Sequence, residues 1–344
     1  MPSITWKCPS NIALVKYWGK KGKQLPANSS VSFTLNQCHT ITHLTYEPKQ
    51  NDGTILLSFS FDGKPMPSFE PKLEQFFNNV EHLFPFLPGY IIEINTINTF
   101  PHSSGIASSA SGFGALALCI CSMEQQLGDT LPENQFFEKA SNAARLGSGS
   151  ASRSVYGPLA VWGKSDSFNE SDDEFAIKFS DVHEVFKTYC DTILLVDEGK
   201  KEVSSTLGHS LLNLHPFAEI RYAEANKNLG LLKTALQNGD LVLFNEIVER
   251  EAMMLHALMM TSNPAFILMK PFTLAIIQRV WEHRKQTGIN ITITLDAGAN
   301  VHLLYPHDEK EVVQAFIRSD LSKYCKDRMF INDFVGLGPQ RVDI

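Results

Sequence analysis

No apolar run in this chain of 344 residues approaches the ~20 residues of a membrane-spanning helix; the longest candidate, around Gly112 to Cys121, is about half that length. Only six cysteines are present, scattered except for Cys119 and Cys121, and no CxxC pair occurs. That spacing offers neither a disulfide framework nor a thiolate zinc site, and it fits a reducing compartment. Cations are outnumbered, 30 Lys and Arg against 37 Asp and Glu, for a net charge of −7. A general nucleic-acid coat needs the opposite sign, so no nucleic-acid partner is expected. The opening residues, Met-Pro-Ser-Ile-Thr-Trp-Lys-Cys-Pro, lack the basic-then-apolar order of a secretory signal. The expectation is a cytoplasmic protein that does not engage a membrane. Eleven histidines show no metal-ligand spacing, and internal repeats and low-complexity stretches are missing too.

What is present is ample material for a core: 43% hydrophobic and 10% aromatic residues. At roughly 150 residues per domain, the length suggests two domains. The first hundred residues read mainly as strands, with period-two alternation over Thr40–Tyr46, Thr54–Phe61 and Tyr90–Ile97. Leu73, Phe76, Phe77, Val80 and Leu83 predict a helix over Pro71–Phe84. Helices are also predicted for Ser108–Gln126 and Glu133–Leu146, followed by strands at Ser154–Trp162, Glu174–Phe179 and Thr188–Val196. From Glu202 to about Met260 the pattern is helical, broken near Asn213–Pro216 and Asn238–Asp240. A helix over Phe272–Lys285, a hairpin of Ile289–Leu295 with Val301–Tyr305, a helix Glu309–Arg318 and a strand Arg328–Val335 complete the reading. The boundary falls between Ser180 and Thr192, giving domains 1–185 and 186–344, and the class is α+β or mixed α/β in two layers.

Four segments carry chemistry. In Asn98-Thr-Phe-Pro-His-Ser-Ser-Gly-Ile-Ala-Ser-Ser109 a strand enters a small-residue loop that opens a helix. Helix starts present unpaired N–H groups and a positive dipole end, which suits phosphate. The loop lacks the Gly-Lys-Ser/Thr ending of a Walker motif, no G-x-G-x-x-G occurs, and a plain serine-capped helix fits the same residues. His102 reads equally as a phosphate contact or a polar loop residue. Around Asn11-Ile-Ala-Leu-Val-Lys16-Tyr-Trp-Gly-Lys20, an apolar strand delivers Lys16, Tyr17 and Trp18 to a turn with Lys20, Lys21 and Lys23. This is a local gathering of cations in an acidic chain, or a solvated lysine loop; Lys16, inside the apolar strand, needs a partner in either case. Gly147-Ser-Gly-Ser-Ala-Ser-Arg153 exposes backbone beside an arginine fork suited to carboxylate or phosphate. Asp296, ending a β-branched strand at the turn Asp296-Ala-Gly-Ala-Asn300, is a loop-borne carboxylate with a catalytic or a purely structural role. Met253, Met254, Met259 and Met260 read as core.

Taken together and in this order, the segments resemble the diphosphomevalonate decarboxylase family of the GHMP kinase superfamily. The family's Asn-Ile-Ala-x-x-Lys-Tyr-Trp-Gly-Lys stands at Asn11–Lys20, its Asn-Ser-Ser at Asn28–Ser30, and its Asp-Ala-Gly-x-Asn turn at Asp296–Asn300. Gly-Ser-Gly-Ser-Ala-x-Arg is Gly147–Arg153, and the superfamily's ATP loop is Pro101–Ser109 with Ile106 for leucine. Departures are Ser152 for a cysteine, Ala299 for a proline and Lys64 for an arginine. Ser205-Thr206 stands where bacterial relatives often carry Ser-Arg, which leaves a phosphate contact missing or supplied by Lys200 or Lys201.

The resemblance implies an α+β, GHMP-kinase-like two-domain fold, with a deep cleft between an N-terminal mixed α/β domain and a C-terminal ferredoxin-like α+β domain. It implies ATP-dependent decarboxylation of mevalonate 5-diphosphate to isopentenyl diphosphate, with Mg²⁺ on the ATP phosphates, no separate metal site, and a homodimer. Asp296 and Lys16 would be catalytic. Tyr17, Trp18, Gly19, Lys20, Lys64, Ser148, Gly149, Ser150, Ala151, Ser152, Arg153, Ser205 and Thr206 would bind substrate. Asn98, Pro101, Ser103, Ser104, Gly105, Ile106, Ala107, Ser108 and Ser109 would bind ATP. The alternatives are a phosphomevalonate decarboxylase, a GHMP small-molecule kinase such as a mevalonate 3-kinase, and a ligand-sensing protein without turnover.

Overall fold

The computed structural model describes residues 1–51, 53–101, 106–197 and 205–342. Two long antiparallel partners, β1 (Ser3–Val15) and β2 (Ser30–Pro48), found the larger sheet. Their register shifts between Pro9 and Asn11 and again between Ala13 and Val15. Such irregularities bend a strand and re-aim its side chains, and here they lie just before Lys16. On the far side of β2 come β4 (Tyr90–Asn98), the parallel β3 (Leu56–Phe61) and a two-residue strand, Lys64–Pro65. The first part of β2 instead pairs with β5 (Leu159–Trp162), which pairs with β6 (Ala176–Phe179). The alternation predicted for β4 is present, with Ile92, Ile94 and Thr96 buried between exposed neighbours.

That inward face is covered by α1 (Glu70–Val80), α2 (Ser108–Gln126) and α3 (Glu133–Gly147). Phe76, Phe77, Leu116, Ile120 and Phe136 meet Leu44, Ile92 and Ile94 in one core; each such side chain, fully buried, is worth about 1.5–3 kcal/mol. Since α2 lies between sheet and α3, it is apolar nearly all round rather than amphipathic.

The second half builds a four-stranded antiparallel sheet in the order β8 (Thr292–Thr294), β9 (Val301–Tyr305), β7 (Cys190–Leu194), β10 (Phe330–Phe334). Helices α8 (Pro271–Thr287) and α9 (Lys310–Phe316) cover it through Ile276, Ile277, Val280 and Val313. Two long helices, α6 (Ala218–Asn238) and α7 (Leu241–Met260), put Leu229, Leu232, Phe244 and Ile247 into a core shared with Ile12, Leu14 and Phe33 of the first sheet. Two further ties join the halves. Asp333 of β10 accepts the N–H groups of Asn36, Gln37 and Cys38 at 2.7–2.9 Å. The last strand, β11 (Gln340–Arg341), returns to pair with β1.

Predicted strand bounds need correction. Ser154–Trp162 is extended only from Leu159, because Ala151–Ser154 forms a short helix, α4, and Pro158 has no N–H to give a ladder. The strand predicted over Ile289–Leu295 narrows to Thr292–Thr294, while the hairpin with Val301–Tyr305 is present.

Candidate active site

Both halves of the chain line a cavity of about 420 Å³, the first through β1, β3, β4 and α2 and the second through His209, Leu255, Asp296 and Ala297. Lys16 enters it directly after β1, with 1% of its surface exposed. Its Nζ donates to the Ala13 carbonyl at 2.6 Å. Asn28 and two residues from the second half of the chain grip its backbone. The Lys16 N–H donates to Glu251 Oε2 at 2.9 Å, and its carbonyl accepts from Asn28 Nδ2 at 3.0 Å and Arg221 Nη2 at 3.3 Å. Arg221 and Glu251 are themselves a fully buried ion pair at 2.6 Å, completed by Asn228 at 2.7 Å. Such further hydrogen bonds offset the desolvation of a buried pair, while Arg221 Nε stays buried without a partner among the described residues. Burial lowers the Lys16 pKa to about 8, against the opposing pull of Asp296 and Glu251.

Arg153 lies in α4, 2% exposed, and donates to Ser32 Oγ at 3.1 Å, Ser30 Oγ at 2.5 Å and Asn11 Oδ1 at 3.4 Å. All three acceptors are neutral, so among the described residues the guanidinium is fixed by hydrogen bonds without an ion pair, and burial lowers its pKa to about 10 against the opposing pull of Tyr17 and Asp296. Beside it, the Tyr17 hydroxyl and the Trp18 indole N–H are buried without hydrogen-bond partners among the described residues. Buried donors left unmade cost roughly 1–3 kcal/mol each, which marks this end of the cavity as built for an anion. Gly149 permits the arrangement: a Cβ there would stand 2.6 Å from the Tyr17 hydroxyl. Ser148, Gly149, Ser150 and Lys20 line the same wall.

The opposite wall is the start of α2. Ala107 precedes the helix with φ +44°, and among the described residues no side chain caps it, so there the serine-capped alternative does not hold. The uncapped first turn contributes Ala107, Ser108, Ser109 and Gly112 to the lining. Ser109 Oγ lies 3.2 Å from Ser148 Oγ, and Ser10 Oγ donates to the Ile106 carbonyl at 2.5 Å. Asn98 lines the cavity; Pro101 and the buried Ile106 do not. Farther out, Phe59, Phe61, Phe69, Leu73 and Phe113 give this end an apolar side.

Asp296 comes from the turn between β8 and β9 and lines the cavity half-buried. Its carbonyl accepts from Gly298 N–H at 2.7 Å and from His256 Nε2 at 3.2 Å. Burial lowers the His256 pKa to about 4, so that ring is neutral. Thr273 Oγ1 donates to the Ala299 carbonyl at 2.6 Å, and Asn300 Oδ1 accepts the Asp197 N–H at 3.0 Å. These bonds stiffen the turn that has Ala299 in place of proline.

The structure therefore brings together Lys16, Tyr17, Trp18, Lys20, Asn98, Ala107, Ser108, Ser109, Ser148, Gly149, Ser150, Arg153 and Asp296. Ala151 and Ser152 lie behind the wall, where Ser152 Oγ donates to the Gly149 carbonyl at 2.8 Å. Gly19, at φ +102°, shapes the turn without lining the cavity. Lys64 stands on an exposed two-residue strand opposite the lining residue Phe61 and does not itself line the cavity. His102, Ser103, Ser104, Gly105, Lys200 and Lys201 lie outside the described residues, as do the side chains of Ser205 and Thr206, which open α5 (Ser205–Ser210). Sequence reasoning missed Asn11, Gln24, Lys72 and His209 as lining residues. Asn11 stood inside a quoted motif; the other three carry no spacing signal.

A family model described as the diphosphomevalonate decarboxylase-like N-terminal domain matches residues 8–175, and one for the mevalonate 5-diphosphate decarboxylase C-terminal domain matches residues 192–335. The diphosphomevalonate decarboxylase of Aspergillus fumigatus is 31% identical over 337 residues, 92% of this chain and 80% of that protein. The Saccharomyces cerevisiae enzyme is 31% identical over 326 residues, 90% and 79% of the two chains. Among solved structures, MDDEF in complex with MVAPP, AMPPCP and magnesium superposes with a TM-score of 0.84 at 27% identity, covering 99% of both chains.

Proposed function

The chain belongs to the diphosphomevalonate decarboxylase family, and from that membership we propose that it converts mevalonate 5-diphosphate and ATP into isopentenyl diphosphate, CO2, ADP and phosphate. Its fold is the α+β, two-domain fold of those enzymes. The carrying observation is the convergence of Lys16, Arg153, Asp296 and the uncapped start of α2 on one cavity.

A tertiary hydroxide is a poor leaving group, so ATP first converts the 3-hydroxyl into a phosphate ester. When that phosphate departs, positive character develops at C3. The C–C bond to the carboxylate then breaks, its electrons form the double bond, and CO2 leaves. Asp296 orients the hydroxyl and takes its proton, and its charge favours the later cation. Lys16 neutralises the transferred phosphoryl group and holds Asp296 ionised. Arg153, Tyr17, Trp18, Lys20 and the Ser148–Ser150 segment grip the substrate's anionic groups. The first turn of α2 takes the nucleotide phosphates, with the phenylalanine-lined side toward the base. Mg²⁺ would come on those phosphates; among the described residues no group of three or more His, Cys, Asp or Glu side chains is placed to hold an ion.

The proposal includes a division at residues 1–185 and 186–344, supported by the separate sheets and the separate family models. It also takes the enzyme to be a cytoplasmic homodimer; no helix among the described residues is long and apolar enough to cross a membrane. The test is incubation with ATP-Mg and, separately, mevalonate, its 5-phosphate and its 5-diphosphate, following ADP and CO2 together. Equal release of both from the 5-diphosphate is expected. ADP without CO2 would make the protein a kinase, and CO2 from the 5-phosphate alone would make it a phosphomevalonate decarboxylase.

A further inference from the structure

We propose that His209 is a substrate-binding residue of this cavity, a neutral imidazole that donates its Nε2–H to the diphosphate group of the substrate. The inference rests on the reading of the cavity as a mevalonate 5-diphosphate site.

His209 comes from α5, remote in sequence from the turn it serves. It is 6% exposed and lines the cavity. Its ring sits between those of Tyr17 and Trp18, 4.5 Å from each centroid. Nδ1 accepts the Gly19 N–H at 3.0 Å. That bond fixes the tautomer: a nitrogen that accepts carries no proton, so in the neutral ring the proton sits on Nε2. Among the described residues Nε2 has no protein partner, and the ring belongs to the cavity wall that holds the unpartnered Tyr17 hydroxyl and Trp18 N–H.

The neighbouring residue makes the docking close. A Cβ on Gly208 would stand 2.7 Å from the Trp18 ring, so α5 lies flush on the Tyr17-Trp18-Gly19 turn. Burial, and then Lys20, lower the His209 pKa to about 3, with Asp296 opposing. A neutral donor suits this place. Lys16, Lys20 and Arg153 already supply positive charge, and a further buried cation would add desolvation and repulsion while the site is empty.

A merely structural His209 would need only the Nδ1 bond to Gly19, and two amides separate the roles. In His209→Asn the amide oxygen replaces Nδ1, while the Nε2 donor is lost. In His209→Gln the amide nitrogen reaches the Nε2 position, while the Gly19 acceptor is lost. Calorimetric titration with mevalonate 5-diphosphate should show about 10- to 100-fold weaker binding for His209→Asn, the loss of one hydrogen bond to a charged group. His209→Gln should stay within about threefold of wild type on the same scale, and affinity for a non-hydrolysable ATP analogue should be unchanged in both. Wild-type binding by His209→Asn, or an equal loss in His209→Gln, overturns the proposal. Should the variants not fold, the wild-type imidazole ¹⁵N spectrum decides: addition of mevalonate 5-diphosphate must shift Nε2, and an unmoved resonance overturns the assignment. Wild-type protein that binds no mevalonate 5-diphosphate would refute the functional reading instead.

Discussion

Raising the pH through 8 should disarm the cavity while the fold stays intact. Lys16 is held at a pKa of about 8 instead of 10.5, chiefly by burial, with Arg153 adding to the effect and Asp296, Glu251 and Asp191 opposing it. At about 1.4 kcal/mol per unit, keeping the ammonium in the empty site costs about 3 kcal/mol. Below pH 8 both folded and unfolded chains carry the charge, and the cost is borne in full. Between about 8 and 10.5 the folded protein has released a proton that the unfolded chain retains, so this group's contribution to stability rises with pH. Activity runs the other way. The ratio kcat/KM reports the free enzyme, so it should fall about tenfold per unit above pH ~8. In the ternary complex, phosphates beside Lys16 retain its proton, and the limb in kcat should lie higher. Substrate phosphates are ionised well below this range, with a second pKa near ~6. The assay is CO2 release from pH 6 to 10, paired with calorimetric substrate binding by wild type and Lys16→Met. Wild-type affinity should weaken above pH 8, and that of the variant should be low and flat. A kcat/KM flat to pH 9.5, or the same limb in the variant's binding, would refute the reasoning.

Asp296→Asn should cut kcat by about 10²–10⁴-fold with substrate and nucleotide affinities within a few-fold, since an amide keeps the shape and loses the base; retention of most of the wild-type kcat removes Asp296 from its role. Arg153→Met should weaken substrate binding by about 100-fold or more while leaving the melting temperature unchanged or higher, because it deletes a buried cation that has only neutral partners; a lowered melting temperature with affinity intact would contradict this. Gly149→Ala should raise KM for the substrate about tenfold by driving a methyl into Tyr17, and an unchanged KM would show that Tyr17 tolerates displacement.

What the sequence disclosed followed from local rules. Strict alternation located β4, and α2 runs over the predicted Ser108–Gln126 because a polar loop before it and Gly128 after it punctuate an apolar stretch. The turn at Asp296 was legible as a strand ending in a carboxylate. What stayed hidden depends on pairing across the chain. Arg221 and Glu251 look like ordinary helix charges until α6 and α7 bury them under the backbone of Lys16. His209 gains meaning only from Gly19, 190 residues earlier. The strand predicted from Ser154 starts too early, because the turn Ala151–Ser154 is helical and aims Arg153 at Asn11, Ser30 and Ser32.

The same hidden pairings decide which substrate the cavity should prefer. A 5-monophosphate can satisfy some of the donors near Arg153, but not all of them. Among the described residues Tyr17 and Trp18 hold buried donors without protein partners, at 9% and 4% exposure, and Arg153 at 2% has only neutral hydrogen-bond acceptors. Losing the distal phosphate strands part of this set, and truncating one partner of a buried charged contact costs about 2–5 kcal/mol. At ~1.4 kcal/mol per decade, kcat/KM for the 5-diphosphate should exceed that for the 5-monophosphate by roughly 30-fold or more. Lys20, half-buried at the wall, adds less, since water and salt replace a missing phosphate there. The margin should therefore survive 0.5 M salt, because it comes from desolvated donors. Measuring kcat/KM for both substrates at fixed ATP-Mg, at low and high ionic strength, tests the point. Equal values, or a preference that vanishes with salt, would mean that exposed lysines rather than the buried donors around Arg153 select the substrate.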